Sequence, residues 1–461
     1  PHSVAERIGR GRSARRDVPR DRHARWRPSS HRVDPVSILE RQDAERDATL
    51  VPIRHGRMAA SPFAFYRGGA AIMASDLAGT PVAGMSAQLC GDAHLLNFGM
   101  FETPERSLVF GLNDFDETLR GPFEWDVKRL AASVEIAGRD LRLGPNEREG
   151  AVQAAVRAYR TAMIEFASMR NLEVWNARLP AKRFQRDLEK SAGRADGKAV
   201  RKKIRKALTR DHLHAFDRFI ETVDGDIRFV SQPPLLVPVE ELLDHEQRER
   251  YVEVIRDFLH QYRQSLLPHR RMLVESYRFM HMARKVVGVG SVGTRAWVVL
   301  MMGRDSGDPL LLQLKEAKPS VLEPYVRPTD YDSNGHRVVE GQRLMQSASD
   351  PLLGWYGLRA FDDQMHDFYV RQLWDGKASI EVADLDPAGF RAYGESCGWT
   401  LARAHARSGD RIAIAAYLGK KDRFDRSIAE YAATYADVNE SDHQRLRDAI
   451  AEGRLSATAG I

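Results

Sequence analysis

The stretch CGDAHLLNFG, residues 90–99, sets Asp92, His94 and Asn97 among small and apolar neighbours. Polar groups in such a setting must find partners or cost stability. A carboxylate can orient a hydroxyl and accept its proton, and an asparagine a few residues later can ligate a divalent cation, which together begin a phosphoryl-transfer site. Completing such a site takes an aspartate after a short apolar strand. LVFGLNDFDET, at 108–118, supplies Asp114 in that place and Asp116 as a further metal-ligand candidate. Each of these residues alone reads equally well as a loop cap; their joint order is what points to chemistry. His94 reads as a hydrogen-bonding loop fixer in preference to a metal ligand.

Far along the chain, Gly288, Gly290 and Gly293 form G-x-G-x-x-G around Ser291. Glycines let backbone approach a phosphate closely and leave amides free to bind it, although hairpin turns use glycine for backbone reasons alone. A dinucleotide fold would need a helix next. RAWVVLMM follows instead and is strand-like, so the fitting version is a glycine-rich hairpin over nucleotide phosphates. That version requires a lysine on the next strand, and LLLQLKEA supplies Lys315. It also requires a glutamate on the following helix, and RVVEGQRLMQ supplies Glu340. Glu316 is excluded because alternation along a strand turns it to the opposite face. Arg54, Arg67 and Arg295 are arginines that either bind a phosphate or carboxylate or pair with a structural acid.

These residues must be positioned by a chain of 461 residues, 43% hydrophobic, with two cysteines, Cys90 and Cys397. The length allows two or three lobes, and two cysteines make no disulfide framework. No apolar run is long enough for a transmembrane helix, and the first residues lack the apolar segment of a secretory signal; a reducing cytoplasm is expected. The net charge of +6 is uneven, because residues 1–33 carry ten arginines against Glu6, Asp17 and Asp21. Residues 1–35 therefore read as an Arg-rich disordered tail, with contact to polyanions as the alternative reading. The basic run GKAVRKKIRKALTR at 197–210 reads as a solvated helix face.

Residues 36–80 read as helical, interrupted by a turn-like VPIRHGRM. Residues 81–118 read as strand, loop, strand, loop, and 124 to about 285 as helices with a Pro-rich loop at 231–240. Twisted antiparallel strands begin at 286, a helix holds Glu340, and FYVRQL at 368–373 reads as a strand. Helices return from about 385. The expected division is a helical lobe at 36–285 bearing the catalytic and metal loops, a small nucleotide-binding lobe at 286–380, and helices at 385–455 completing the first lobe.

GDAHLLN resembles the G-D-x-H-x-x-N catalytic loop of aminoglycoside phosphotransferase-like kinases. NDFDETLRGPFEWDVKRLA resembles the metal segment that follows it. The resemblance implies Asp92 as the catalytic-loop aspartate, Asn97 and Asp114 as metal ligands, and Asp126 as an acid that braces the loop. Those kinases have His before Gly-Asp, where Cys90 stands here. From about 35 to 450 the chain also resembles a bacterial family, domain-of-unknown-function family 2252, through VPIRHGRMAASPFAFYRG, CGDAHLLNFG, GLNDFDET, GVGSVGTR, LQLKEA, VVEGQRLMQ, DFYVRQL and LARAHARSGD. That resemblance implies membership of the protein-kinase-like superfamily.

The order differs from an ordinary kinase, since the catalytic and metal loops precede the glycine turn and LARAHARSGD resembles the helix that normally precedes the catalytic loop. The expectation is an α+β, bilobal, protein-kinase-like fold in circularly permuted order, which is tolerated when the breaks fall in surface loops. FYVRQL would be the hinge strand beside the adenine. The expected activity is ATP- and Mg²⁺-dependent phosphoryl transfer to an unknown small-molecule or protein hydroxyl. Nucleotidyl transfer in the same site, a non-catalytic nucleotide-binding pseudokinase, and a metal hydrolase built from Asp92, His94, Asp114 and Asp116 are the alternatives.

Overall fold

A computed structural model describes residues 2–190, 219–223, 226–286, 288–359, 364–373 and 380–460. The basic run 197–210 lies outside the described residues. The fold is α+β with antiparallel sheets.

The larger body is helical. Phe123–Asp140, Pro145–Ser168, Pro387–Ser408, Arg411–Leu418 and Arg423–Ala451 pack together around Phe123, Tyr159, Met163, Leu401, Tyr417 and Phe424. Pro387 sits in the first turn of its helix and Asp386 caps it, accepting the amide of Gly389, the usual start for a helix. Embedded in this body are two short ribbons. β1 (Ser86–Leu89) pairs with β4 (Leu119–Pro122), and β2 (Phe98–Glu102) pairs with β3 (Leu108–Leu112), to which β5 (Leu179–Pro180) adds. Leu89 faces Leu119 and Phe98 faces Leu112. The register therefore forces loops 90–97 and 113–118 to lie side by side.

The second body is a six-stranded antiparallel sheet. β6 (Ile220–Val223) and β7 (Asp226–Phe229) make a separate ribbon, and β8 (Leu236–Pro238), β9 (Arg278–Lys285), β10 (Ala296–Met302), β11 (Pro309–Glu316), β12 (Gly354–Arg359) and β13 (Met365–Gln372) form the sheet in the order β12-β13-β11-β10-β9-β8. The continuous apolar run of β10 is explained by burial on both faces. Val299 and Met301 join Phe258 and Tyr262 of helix His245–Gln264, whereas Val298 and Leu300 join Phe229 and Ala283. On β11 the same alternation sends Leu312 and Leu314 toward that helix and Gln313 and Lys315 to the other side.

Three expectations are corrected. Residues 2–33 are not a disordered tail: Val4–Asp17 is a helix with a Ser3/Glu6 capping box, and Trp26 is buried between Tyr431 and Tyr435. Arg32 forks onto Asp76 and Asp442 at 2.6 Å each, and Arg20 donates to the Leu418 carbonyl. These arginines serve as internal cross-links, which a charge count cannot reveal. The sheet body begins well before 286, because RFMHMARK is strand β9; His281 and Ala283 turn inward at period two where methionine spacing imitated a helix. Finally, VPIRHGRM is no turn: it is most of helix Val51–Ala59, with Pro52 in the first turn, where proline is tolerated.

Candidate active site

Loop 90–97 leaves β1 through Gly91, whose φ is +83° and whose Cβ position lies 2.3 Å from the Glu117 carbonyl oxygen. Only glycine fits there. The amides of Cys90 and Gly91 donate to Asp126 at 2.8 and 3.1 Å. Asp126 stands in the first turn of Phe123–Asp140 and also meets His405 Nε2 at 3.2 Å, while His405 Nδ1 meets the Tyr159 hydroxyl at 2.9 Å. A buried acid, a histidine and a tyrosine thus hold the loop's first two amides.

One turn further along the same helix, Arg129 Nε donates to Asp92 Oδ1 at 2.8 Å, and its Nη2 makes an ion-pair contact with the same oxygen at 2.7 Å. Its guanidinium lies 3.8 Å from the Tyr66 ring centroid and donates to the Tyr66 carbonyl at 2.7 Å. Asp92 keeps Oδ2, which faces His94 Nε2 at 3.8 Å. Burial pushes the His94 imidazole down to about 4 despite the Asp92 charge, so it is neutral near pH 7. Its Nδ1 is buried without a partner. Asn97 donates to the Asp92 carbonyl at 2.6 Å and its own carbonyl accepts the Asn113 amide at 2.9 Å. That leaves Asn97 Oδ1 without a donor among the described residues.

In the neighbouring loop, Asp114 is 35% exposed at its side chain and lies 3.8 Å from Lys315 Nζ. Burial would raise its carboxyl, but Lys315 and Arg371 outweigh this and hold it below the ordinary range. Asp116 accepts from Lys315 at 2.5 Å and from the Tyr369 hydroxyl at 2.6 Å. Lys315 is only 4% exposed; burial opposes its charge, yet Asp114 and Asp116 raise its pKa above the ordinary lysine range. The two ends of this contact come from β11 and from the loop after β3, so it joins the two bodies.

Glu340 is not the partner of Lys315. Its Oε1 accepts from Arg343 at 2.7 Å, on the half-exposed stripe of helix Asn334–Met345. The buried face of that helix presents Arg337 instead, which donates to the carbonyls of Thr118 (2.6 Å), Asp116 (3.0 Å) and Lys318 (2.7 Å). The helix therefore braces loop 113–118 through its backbone, and Asp116 occupies the pairing role expected of Glu340. Glu316 does face away from Lys315, bonding Arg295 and His366.

The glycine turn joins β9 to β10, with Gly288 and Gly293 at φ of +65° and +85°. It is fastened to the helical body: Arg57 donates to the Gly288 carbonyl at 2.5 Å, Arg46 to Val292 at 2.5 Å, and the Asp47 amide to Gly293 at 2.9 Å. Among the described residues the amides of Val289, Gly290 and Ser291 find no acceptor. Asp92, Asn97 and Asp114 on one wall and Gly288, Gly290 and Ser291 on the other line a single cavity of about 460 Å³. Among the described residues, no group of three or more His, Cys, Asp or Glu is gathered to hold a metal ion, and no helix is long and apolar enough to cross a membrane.

Sequence reasoning passed over Arg129, Tyr369 and His405. Arg129 was within reach, because it follows Asp126 by three residues and so shares its helix face. Tyr369 and His405 carried no local signal. Of the arginines considered, Arg54 is fully buried and bonds Asp43 and Gln42, and Arg295 pairs with Glu316; both are structural.

No curated protein and no solved structure is matched by the chain. A family described as uncharacterized protein conserved in bacteria matches residues 46–449, a span that holds both loops, the glycine turn, Lys315 and His405. The chain belongs to that family, DUF2252.

Proposed function

We propose that this protein is a kinase-like phosphotransferase, using ATP and Mg²⁺ to phosphorylate a hydroxyl acceptor, on a kinase-type fold in circularly permuted order. One observation carries the reading: loops at 92–116 and residues 288–291 of the glycine turn line the same cavity. The permutation is supported where helix Pro387–Ser408 ends against the start of β1. The Gln88 amide donates to Ser408 Oγ at 3.0 Å and Arg120 to the Ser408 carbonyl at 3.2 Å. Joining those two points would restore the ordinary kinase sequence of helix, catalytic loop and metal loop. FYVRQL is the greater part of β13, and residues 374–379, where a hinge would continue, lie outside the described residues.

The residues present fit a nucleotide with a hard cation. Asn97 Oδ1 and the Asp114 carboxylate are oxygen ligands with capacity to spare, and such a cation draws its remaining ligands from phosphate and water. The unspent amides of Val289, Gly290 and Ser291 form an anion-binding concavity. Bound there, ATP and Mg²⁺ would supply the transferable phosphoryl group and the charge that offsets its oxygens. Asp92, with Oδ1 clamped by Arg129, would turn Oδ2 to an acceptor hydroxyl and take its proton. Lys315 would steady the phosphates. Asp116, whose two oxygens are spent on Lys315 and Tyr369, fits a bracing role better than metal ligation. His94, neutral and buried, fits loop support. A hydrolase centred on Asp92, His94, Asp114 and Asp116 finds less support, since Arg129, Lys315 and Tyr369 already claim two of its carboxylates.

The test is product analysis. Wild type and Asp92→Asn are incubated with ATP, Mg²⁺ and a mixture of hydroxyl compounds, then read by ³¹P NMR and mass spectrometry. ADP formation that Asp92→Asn abolishes supports phosphoryl transfer. Pyrophosphate with an adenylylated product would replace it by nucleotidyl transfer, ATP binding with no turnover by a pseudokinase, and a folded protein that binds no ATP overturns the reading.

A further inference from the structure

Arg67 ends helix Pro62–Gly68 and lines the same cavity as Asp92 and the glycine turn. Most neighbouring cations are satisfied. Arg129 holds Asp92, Arg54 holds Asp43, Lys315 holds Asp116 and Lys318 holds Glu45. The Arg67 side chain makes no hydrogen bond and no ion pair among the described residues, and its Nε is buried without a partner. Burial pushes its pKa down, against the more distant pull of Asp92 and Glu381. Arg67 is half-buried, with Nε shut off from water and without an acceptor, which is costly, and the side chain lines the cavity, so its place calls for an anion from outside the chain. Small neighbours, Gly68, Ala70 and Ala71, leave the cavity wall beside it open.

Its position says which part of a ligand that anion belongs to. The carbonyl of Tyr66, the preceding residue, accepts from the Arg129 that clamps Asp92. A Cβ on Gly290 would stand 3.6 Å from the carbonyl oxygen of Arg67. Arg67 thus stands at the junction of the acceptor-orienting aspartate and the tip of the glycine turn.

Building on the phosphotransferase reading, we infer that the acceptor is a small hydroxyl compound bearing an oxyanion, a carboxylate or a phosphate, and that Arg67 is the residue that recognises it. A guanidinium matches either group with paired N–H donors. The hydroxyl would face Asp92 and the oxyanion Arg67, which fixes the orientation of the acceptor and discriminates against neutral alcohols.

The test loads the protein with a non-hydrolysable ATP analogue and Mg²⁺, so that the donor phosphate positions are filled. Acetate and inorganic phosphate are then titrated as probes into wild type, Arg67→Met and Arg67→Lys, with thermal melts to verify folding. Saturable binding of one anion is expected, weakened roughly ten- to hundredfold in Arg67→Met and partly kept in Arg67→Lys. The tighter probe identifies carboxylate or phosphate as the group. Failure of both anions to bind wild type, or binding unchanged in Arg67→Met, overturns the inference. A loss of analogue affinity in Arg67→Met as large as the loss of anion affinity also overturns it, by assigning Arg67 to the donor. If wild type does not bind the analogue, the phosphotransferase reading fails separately, and the anion titration without nucleotide applies the same criterion to Arg67.

Discussion

Replacing Arg129 by Met asks most of the geometry around Asp92. The guanidinium is 3% exposed and the Asp92 carboxylate 19%. The substitution removes a charge-assisted bond and a second ion-pair contact to Asp92, one bond to the Tyr66 carbonyl and the stack on the Tyr66 ring. Breaking a buried pair by deleting one partner costs about 3–5 kcal/mol. Asp92 keeps some access to the cavity, so Arg129→Met belongs at the low end, about 3 kcal/mol. Asp92→Asn strands the more deeply buried cation and belongs nearer about 4 kcal/mol. The double variant carries neither charge and should lose less than the two singles together, with a coupling energy of at least about 2 kcal/mol. Denaturant unfolding followed by tryptophan fluorescence, compared at constant m-value, measures all four corners. Additivity to within about 0.5 kcal/mol would refute the clamp.

Gly91→Ala places a Cβ against the Glu117 carbonyl at positive φ and should cost at least roughly 2 kcal/mol, read by the same unfolding assay. Burial raises Glu117 to about 7, so the folded chain keeps a proton that the unfolded chain has released. The resulting stabilisation is complete below the ordinary glutamate range and is lost as pH rises through about 7. Glu117→Gln should flatten the melting temperature against pH over that window, and an unchanged profile would contradict it. Glu340→Gln should leave ATP affinity within about twofold while Asp116→Asn lowers it roughly tenfold, by calorimetry, because a charged hydrogen bond is lost only in the second. Trp26→Ala should cost about 3–5 kcal/mol and expose residues 2–33 to limited proteolysis; unchanged resistance would mean that Tyr431 and Tyr435 do not anchor the segment.

Much of the candidate site was legible because its residues sit in local patterns. Asp92, Asn97 and Asp114 lie at short spacing between apolar strands, and Lys315 interrupts an apolar strand whose alternation sets its face. Where partners come from distant segments, the sequence was silent. Whether Lys315 meets Glu340 or Asp116 depends on which face of helix Asn334–Met345 is buried, and that follows from Arg337 capturing three carbonyls. Arg54 and Arg67 look alike in sequence; only packing separates the paired cation from the unpaired one. In the fold, β10 is plain from its unbroken apolar run, whereas β9, half-polar and rich in methionine, reads as helix from sequence. The first 33 residues misled most, since a string of arginines reads as solvated until Asp76 and Asp442 are brought to Arg32 by helices from both ends of the chain.

In the proposed function, loops 92–116 and the sheet body jointly form one nucleotide site. Calorimetric titration of ATP, with and without Mg²⁺, into wild type, Asp114→Ala and Lys315→Ala tests it most directly. Mg²⁺-dependent binding is expected in wild type, loss of the Mg²⁺ dependence in Asp114→Ala and weakened binding in Lys315→Ala, with all three proteins folded. Folded wild type that takes up no ATP, or binding that neither substitution alters, would contradict it.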